Sequence, residues 1–170
     1  PAALELFEYF MAQLIRHGLY LKIMGHASRI YPETPDCIDI CEGLDNYLPA
    51  AIESQKKFLA SLLQHVNPYT GRSYAAEPGV FAVEINNENA LTHRWRNGSI
   101  DRYVTDAALG PKYGAPLKAQ WNAWLNTRYG TPAALSAAWG QTIAGFSSVT
   151  VPLRSEAPQL PLARMTDWWT

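Results

Sequence analysis

The stretch VFAVEINNENAL, residues 80–91, constrains this chain more than any other part of it. Val80, Phe81, Ala82, Val83 and Ile85 form a short apolar run of the kind that makes a buried parallel strand. Glu84 interrupts the run, and Asn86, Asn87, Glu88 and Asn89 follow it directly. A strand has no structural need for two carboxylates and three amides at its end. In α/β folds, ligand chemistry is built at the carboxyl ends of the strands. A glutamate there, with an asparagine before it, reads as a general acid/base with a substrate-orienting neighbour. A polar strand-to-loop turn is the other reading, because asparagine is a common turn residue.

The elements around this strand set its context. Residues 2–17 carry Leu4, Phe7, Phe10, Met11, Leu14 and Ile15 at helical spacing, and Gly18 supplies a left-handed stop. LYLKIM, residues 19–24, follows as a strand and then turns into a long loop. Pro49 suits the first turn of a helix running to about residue 66, with Ile52, Phe58, Leu59, Leu62, Leu63 and Val66 as its buried stripe. Asn67 and Pro68 end it, and a turn-rich connection leads to residues 80–85. The order helix, strand, helix, strand predicts a parallel βαβ crossover.

The second half differs. Residues 94–113 read as a polar segment broken by Gly98 and Gly110. Residues 116–129 and 132–139 read as helices, the second capped by Thr131 with Pro132 at its first position. Residues 149–153 offer a possible short strand, but Pro152, Pro158 and Pro161 argue for an extended surface segment. The fold expectation is α/β: two strands with flanking helices over residues 1–91, and a helical insertion with an extended segment over 92–170. A closed barrel or doubly wound sheet needs more strands, so the chain reads as an excerpt of one truncated domain.

Composition narrows the function classes. Hydrophobic residues make up 48% of the 170 and charged residues 17%, as in a folded globular protein. A net charge of −1 removes the electrostatic case for nucleic acid or anionic membrane. No apolar run approaches a membrane span, and no signal peptide is visible, so the sequence assigns no compartment. Cys37 and Cys41 are the only cysteines. They make a zinc site unexpected and read as unpaired thiols, with a disulfide as the alternative. No phosphate loop, HExxH or GxSxG motif is present. No metal or cofactor is expected.

NPYTGRSYAAEPGVFAVEINNENAL resembles the helix-to-strand passage of retaining glycoside hydrolases of the large (β/α)8-barrel clan, with its cellulase-like and β-galactosidase-like families. WNAWLNTRYGTPAALSAAWG, residues 121–140, resembles a phrase that follows this strand in those families, and HGLYLKIMGHASR resembles the preceding barrel strand. The likeness covers roughly residues 4–169, with the three passages in the expected order. It implies a TIM-barrel fragment acting on an oligo- or polysaccharide. Glu88 is then the acid/base, Asn87 hydrogen-bonds a sugar hydroxyl beside the reacting carbon, and His26, at the previous strand's end, binds another hydroxyl. The clan's nucleophile, a second glutamate on a later strand, has no counterpart: Glu156 lies among prolines.

Other residues carry smaller expectations. Glu84 shares a strand face with Glu88 and is expected to pair with Lys22 of the adjacent strand. Glu33, Asp36, Asp39, Glu42 and Asp45 do not match a calcium loop and read as solvated. Trp121, Trp124 and Trp139 read as core, whereas Trp95, in the polar HRWRNGS, reads as a sugar platform, with Tyr31 as a second. His17, His65 and His93 receive no chemistry. The rival to the enzyme reading is a carbohydrate-binding or orphan barrel fragment. An open parallel sheet would leave edges for self-association or for the rest of a barrel.

Overall fold

A computed structural model describes residues 2–25, 30–37, 41 and 43–170. The chain is a mixed α/β protein, rich in helix, with two sheets of two strands each among the described residues. It divides into two compact units, residues 1–28 with 53–88 and residues 29–52 with 89–170. The division falls at 88/89 rather than 91/92, and the long loop before the central helix joins the second unit.

The first unit is built on the expected parallel pair. Helix α1 (Ala2–Arg16) ends where Gly18, at φ +78°, lets the Leu19 N–H return to the Leu14 carbonyl at 3.0 Å. Strand β1 (Leu21–Met24) follows, and helix α2 (Pro49–Gln64) starts in the second unit and runs into the first. A small antiparallel hairpin, β2 (Val66–Asn67) and β3 (Arg72–Ser73), precedes strand β4 (Val80–Glu84). The sequence reading passed over this hairpin. The Asn67 side chain accepts from the Tyr69 N–H at 2.9 Å and so shapes the turn between its strands.

β1 pairs β4 in parallel, with Lys22 opposite Ala82, Ile23 opposite Val83 and Met24 opposite Glu84 after an irregularity at Leu21/Lys22. The Leu21 N–H donates to the Gly79 carbonyl and the Gly25 N–H to the Glu84 carbonyl, both at 2.7 Å, extending the ladder at each end. Met11, Leu21, Ile23 and Tyr74 form a small core with Leu14, Ile15, Leu62, Leu63 and Val80 against it. Two expectations fail here. β4 is not buried: Phe81 is 66% exposed and Ile85, just past its end, 69%, and no further strand lies beyond β4 in that sheet among the described residues. The stripe on α2 is only partly covered, and Leu4, Phe7 and Phe10 of α1 are exposed.

The second unit is helical. The segment read as a polar break forms helices α3 (Leu91–Arg96) and α4 (Ser99–Thr105) and a π-turn at Gly110–Gly114. Helices α5 (Ala115–Tyr129), α6 (Pro132–Trp139) and α7 (Leu162–Trp169) complete it. Thr131 caps α6 as expected, its Oγ1 accepting from the Ala134 N–H at 3.2 Å. The core gathers Tyr47, Tyr103, Tyr113, Leu117, Trp121, Leu125, Leu135 and Trp139. Trp121 and Trp139 are buried as expected, and Trp121 stacks on Trp124 with ring centres 5.3 Å apart. Residues 149–153 are neither a strand nor a surface segment, since Val149, Val151 and Pro152 are buried.

One buried carboxylate organises this core. Asp167 Oδ2 accepts from the Tyr129 hydroxyl at 2.5 Å and from Trp139 Nε1 at 2.7 Å, and Oδ1 lies 3.1 Å from Arg128 Nε. Three donors on α5 and α6 thus converge on α7, which is how a buried charge is made tolerable. Cys37 and Cys41 form a disulfide, correcting the expectation of unpaired thiols. Sequence spacing of four residues permitted either state.

Two tests follow from the packing. A Cβ at Gly114 would meet the Tyr103 carbonyl oxygen at 2.6 Å and Val104 Cα at 2.8 Å, both backbone atoms. Gly114→Ala is expected to cost about 2–4 kcal/mol in urea unfolding. The Lys112 ammonium and then the Tyr113 hydroxyl hold the Asp36 carboxyl below the ordinary aspartate range, and the Leu109 and Ala108 N–H groups do the same for Asp106. A lowered folded pKa stabilises above the unfolded value and is lost as pH falls through the folded one. Stability should therefore decline as pH falls below the ordinary aspartate range, and combining Asp36→Asn with Asp106→Asn should shrink that acid-induced loss in urea titrations.

Candidate functional site

β4 supplies the candidate site from its alternation. Ala82 and Glu84 share the face that Lys22 and Met24 present from β1. Lys22 Nζ lies 2.8 Å from Glu84 Oε2, so the expected pair is present. It is not the buried pair anticipated, because the Lys22 side chain is half exposed. Such a pair contributes at most about 1 kcal/mol and mainly fixes side-chain direction.

Past Glu84 the chain leaves the sheet and bends at Asn87 and Glu88. Glu88 has φ +50°, in the left-handed region, where a non-glycine residue is uncommon. Its side chain is exposed and Asn87 is half-buried. Strained backbone of this kind costs about 1–3 kcal/mol and clusters at functional residues. β4 is the one strand of the parallel sheet that ends in carboxylates among the described residues.

Asn89 begins the second unit and is buried there. Its Nδ2 donates to Asp45 Oδ1 at 2.6 Å, and its carbonyl accepts from Asn46 Nδ2 at 2.8 Å. The Tyr31 hydroxyl donates to Asp45 Oδ2 at 2.9 Å. Asp45 is therefore a fixed acceptor in a side-chain network rather than a solvated loop charge. Asp36 is also engaged, by Lys112 and Tyr113. Asp39 and Glu42 lie outside the described residues, as does His26.

The two aromatic platforms are corrected. Trp95 is 6% exposed on α3, donates from Nε1 to the Pro152 carbonyl at 2.7 Å, and meets the Trp169 ring edge-on. Tyr31 is 1% exposed. Neither ring offers a free face to a sugar. Leu91 and Trp95 stand one helical turn apart, so α3 turns Trp95 inward together with the buried Arg94. Tyr31 and Trp95 belong to the second unit, whereas Asn87 and Glu88 belong to the first.

Sequence reasoning also missed the partner of a buried carboxylate. Glu8 on α1 is buried, and its carboxylate contacts His65 Nε2, while its carbonyl accepts from Asn67 Nδ2 at 2.8 Å. Fifty-seven residues separate Glu8 from His65, so no local pattern could announce the contact. No group of three or more histidine, cysteine or carboxylate side chains is placed to hold a metal among the described residues.

No family model, curated protein or solved structure matches this chain. The site therefore stands on its own residues.

The left-handed backbone gives a direct test. If Glu88 is kept for its carboxylate at a stability cost, Glu88→Gly should raise unfolding free energy by about 1 kcal/mol. Urea denaturation reads this, and a loss of stability would show that the carboxylate is a structural anchor.

Proposed function

We propose that this chain carries the acid/base portion of a retaining glycoside hydrolase site, on a fragment of a (β/α)8 barrel. The observation that carries the reading is Glu88: a carboxylate held in left-handed backbone, four residues past the last residue of a parallel β4, with Asn87 before it. The βαβ order and the residue phrases 80–91 and 121–140 support the same family reading.

In this chemistry the Glu88 carboxylic acid gives its proton to the departing glycosidic oxygen as the bond to the anomeric carbon breaks. The resulting carboxylate then takes a proton from the water that completes hydrolysis. Asn87 would donate its amide to a hydroxyl of the same sugar ring. A retaining reaction also needs a nucleophilic carboxylate about 5 Å from the acid/base. No further strand of the parallel sheet offers one among the described residues. The nucleophile is thus assigned to the remainder of a barrel or to another chain.

The second reading is a carbohydrate-binding module without turnover, and the exposure of the Glu88 side chain favours it. Hydrolysis of aryl β-glucosides, galactosides and mannosides separates the two. On the enzyme reading, any turnover falls by at least about a hundredfold in Glu88→Gln. Turnover that survives this substitution contradicts the assignment. Sugar-dependent quenching of tryptophan fluorescence without turnover, unchanged in Glu88→Gln, supports the binding module.

A further inference from the structure

The Cys37–Cys41 bridge is a reactive group that the hydrolase chemistry leaves unused. It joins residues only four apart in sequence. A bridge stabilises mainly by restricting the unfolded chain, and that effect shrinks with the length of the closed loop. So short a loop makes a weak staple. Other bonds hold the segment that carries it. Asp36, beside Cys37, accepts from Lys112 and Tyr113, and Asp45 accepts from Tyr31 and Asn89. The Thr34 N–H donates to the Tyr31 carbonyl at 2.9 Å and the Cys37 N–H to the Thr34 carbonyl at 3.2 Å. None of these bonds depends on the bridge.

The two sulfurs stand in different surroundings. Cys41 is 0% exposed and belongs to the core with Tyr31, Leu44 and Tyr47, whereas Cys37 is only partly buried. A thiolate arriving from solvent therefore meets Cys37 first. Cys41 also has φ +60°, left-handed backbone that is uncommon for a residue with a side chain. Such strain persists only where the surroundings enforce it, and it clusters at functional positions. Thr34 is buried against the Cys41 sulfur, with its Oγ1 at 3.1 Å and its carbonyl oxygen at 3.3 Å. A bridged sulfur carries no proton, so the Thr34 hydroxyl donates to it. Once the bridge opens, the same hydroxyl stabilises the departing thiolate, and the thiol that forms from it can donate to the Thr34 carbonyl. Partners for both states of Cys41 are thus already in place.

We infer that Cys37–Cys41 is an exchangeable disulfide, opened in the folded chain by a dithiol reductant that attacks Cys37 and expels Cys41 toward Thr34. One thiolate of the reductant forms a bond to Cys37 Sγ as the Cys37–Cys41 bond breaks. The electron pair of that bond leaves on Cys41 Sγ, which then takes a proton from solvent. The second sulfur of the reductant attacks the mixed disulfide, closes the reductant's own disulfide and releases Cys37 as a thiol. Two electrons pass from the dithiol to the bridge, and two protein thiols result. Because Asp36 and Asp45 keep their partners, the segment stays in place and an oxidised thiol can close the bridge again. The site shares no residue with Glu88 and Asn87, so the inference does not rest on the hydrolase reading.

The test treats the full chain with dithiothreitol, once folded and once in urea, quenches samples in acid, alkylates them with N-ethylmaleimide after unfolding, and weighs them by mass spectrometry. The expected result is that both cysteines of the folded chain become labelled at no less than about a tenth of the rate in urea, and that oxidised glutathione then restores the bridge. Thr34→Val should slow reduction of the folded chain about tenfold, and Thr34→Ser, which keeps the hydroxyl, should restore the rate. With oxidised glutathione, Cys41→Ser should take up one glutathione on Cys37 at least about tenfold faster than Cys37→Ser takes it up on Cys41. Circular dichroism checks that each variant is folded, and the unsubstituted chain decides the matter where one is not. A bridge that resists dithiothreitol until urea unfolds the chain overturns the inference. So do equal glutathione uptake by the two folded cysteine variants and an unchanged reduction rate in folded Thr34→Val.

Discussion

The parallel ladder between β1 and β4 is the constraint on which the first unit depends. Two four- to five-residue strands cannot pair in parallel without a crossover, and α2 provides it. The ladder fixes which residues share a face, and so brings Lys22 to Glu84 across 62 residues of sequence. It also fixes the direction in which β4 delivers its last residues. Asn87 and Glu88 leave the sheet at its carboxyl end because β4 runs beside β1 rather than against it. An antiparallel β4 would have sent them the other way.

The second unit rests on a different device. Among the described residues it has no strand, and its order comes from tryptophans ranked along α5, α6 and α7 together with the Asp167 carboxylate that ties those helices. Stacked indoles supply large apolar area with fixed geometry. They also bring N–H donors inward. Trp139 and Trp95 find acceptors in Asp167 and the Pro152 carbonyl, and Trp121 and Trp168 do not. The same composition that builds this core therefore leaves two indole donors unmatched within it.

Long periodic segments were legible in the sequence, and short or non-local features were not. Helices 2–16, 49–64, 115–129 and 132–139 announce themselves by spacing, by Gly18 and by the Thr131-Pro132 start. The Lys22–Glu84 pair was readable because strand alternation leaves few partners for a carboxylate at position 84. Helices of six and seven residues, such as 91–96 and 99–105, are too short for periodicity to outweigh their arginines and glycines. Trp95 was misread for that reason. Val149 and Val151 were misread because nearby prolines outweighed a two-residue alternation that points both inward. Glu88 stood out in the sequence as a carboxylate placed just after an apolar run. Its left-handed backbone and the Asp45–Asn89 bond are products of tertiary structure, and no local residue pattern encodes them.

On the proposed reading, the Glu88 carboxyl meets the glycosidic oxygen of a bound sugar. The most direct measurement is affinity labelling with an N-bromoacetyl β-glycosylamine, which carries an electrophile where the leaving group would sit, followed by peptide mass spectrometry. The expected result is a single modification on the peptide spanning residues 80–91, at Glu88, suppressed by excess free sugar and absent from Glu88→Gln. Labelling scattered over surface carboxylates, or labelling unaffected by sugar or by that substitution, would contradict it.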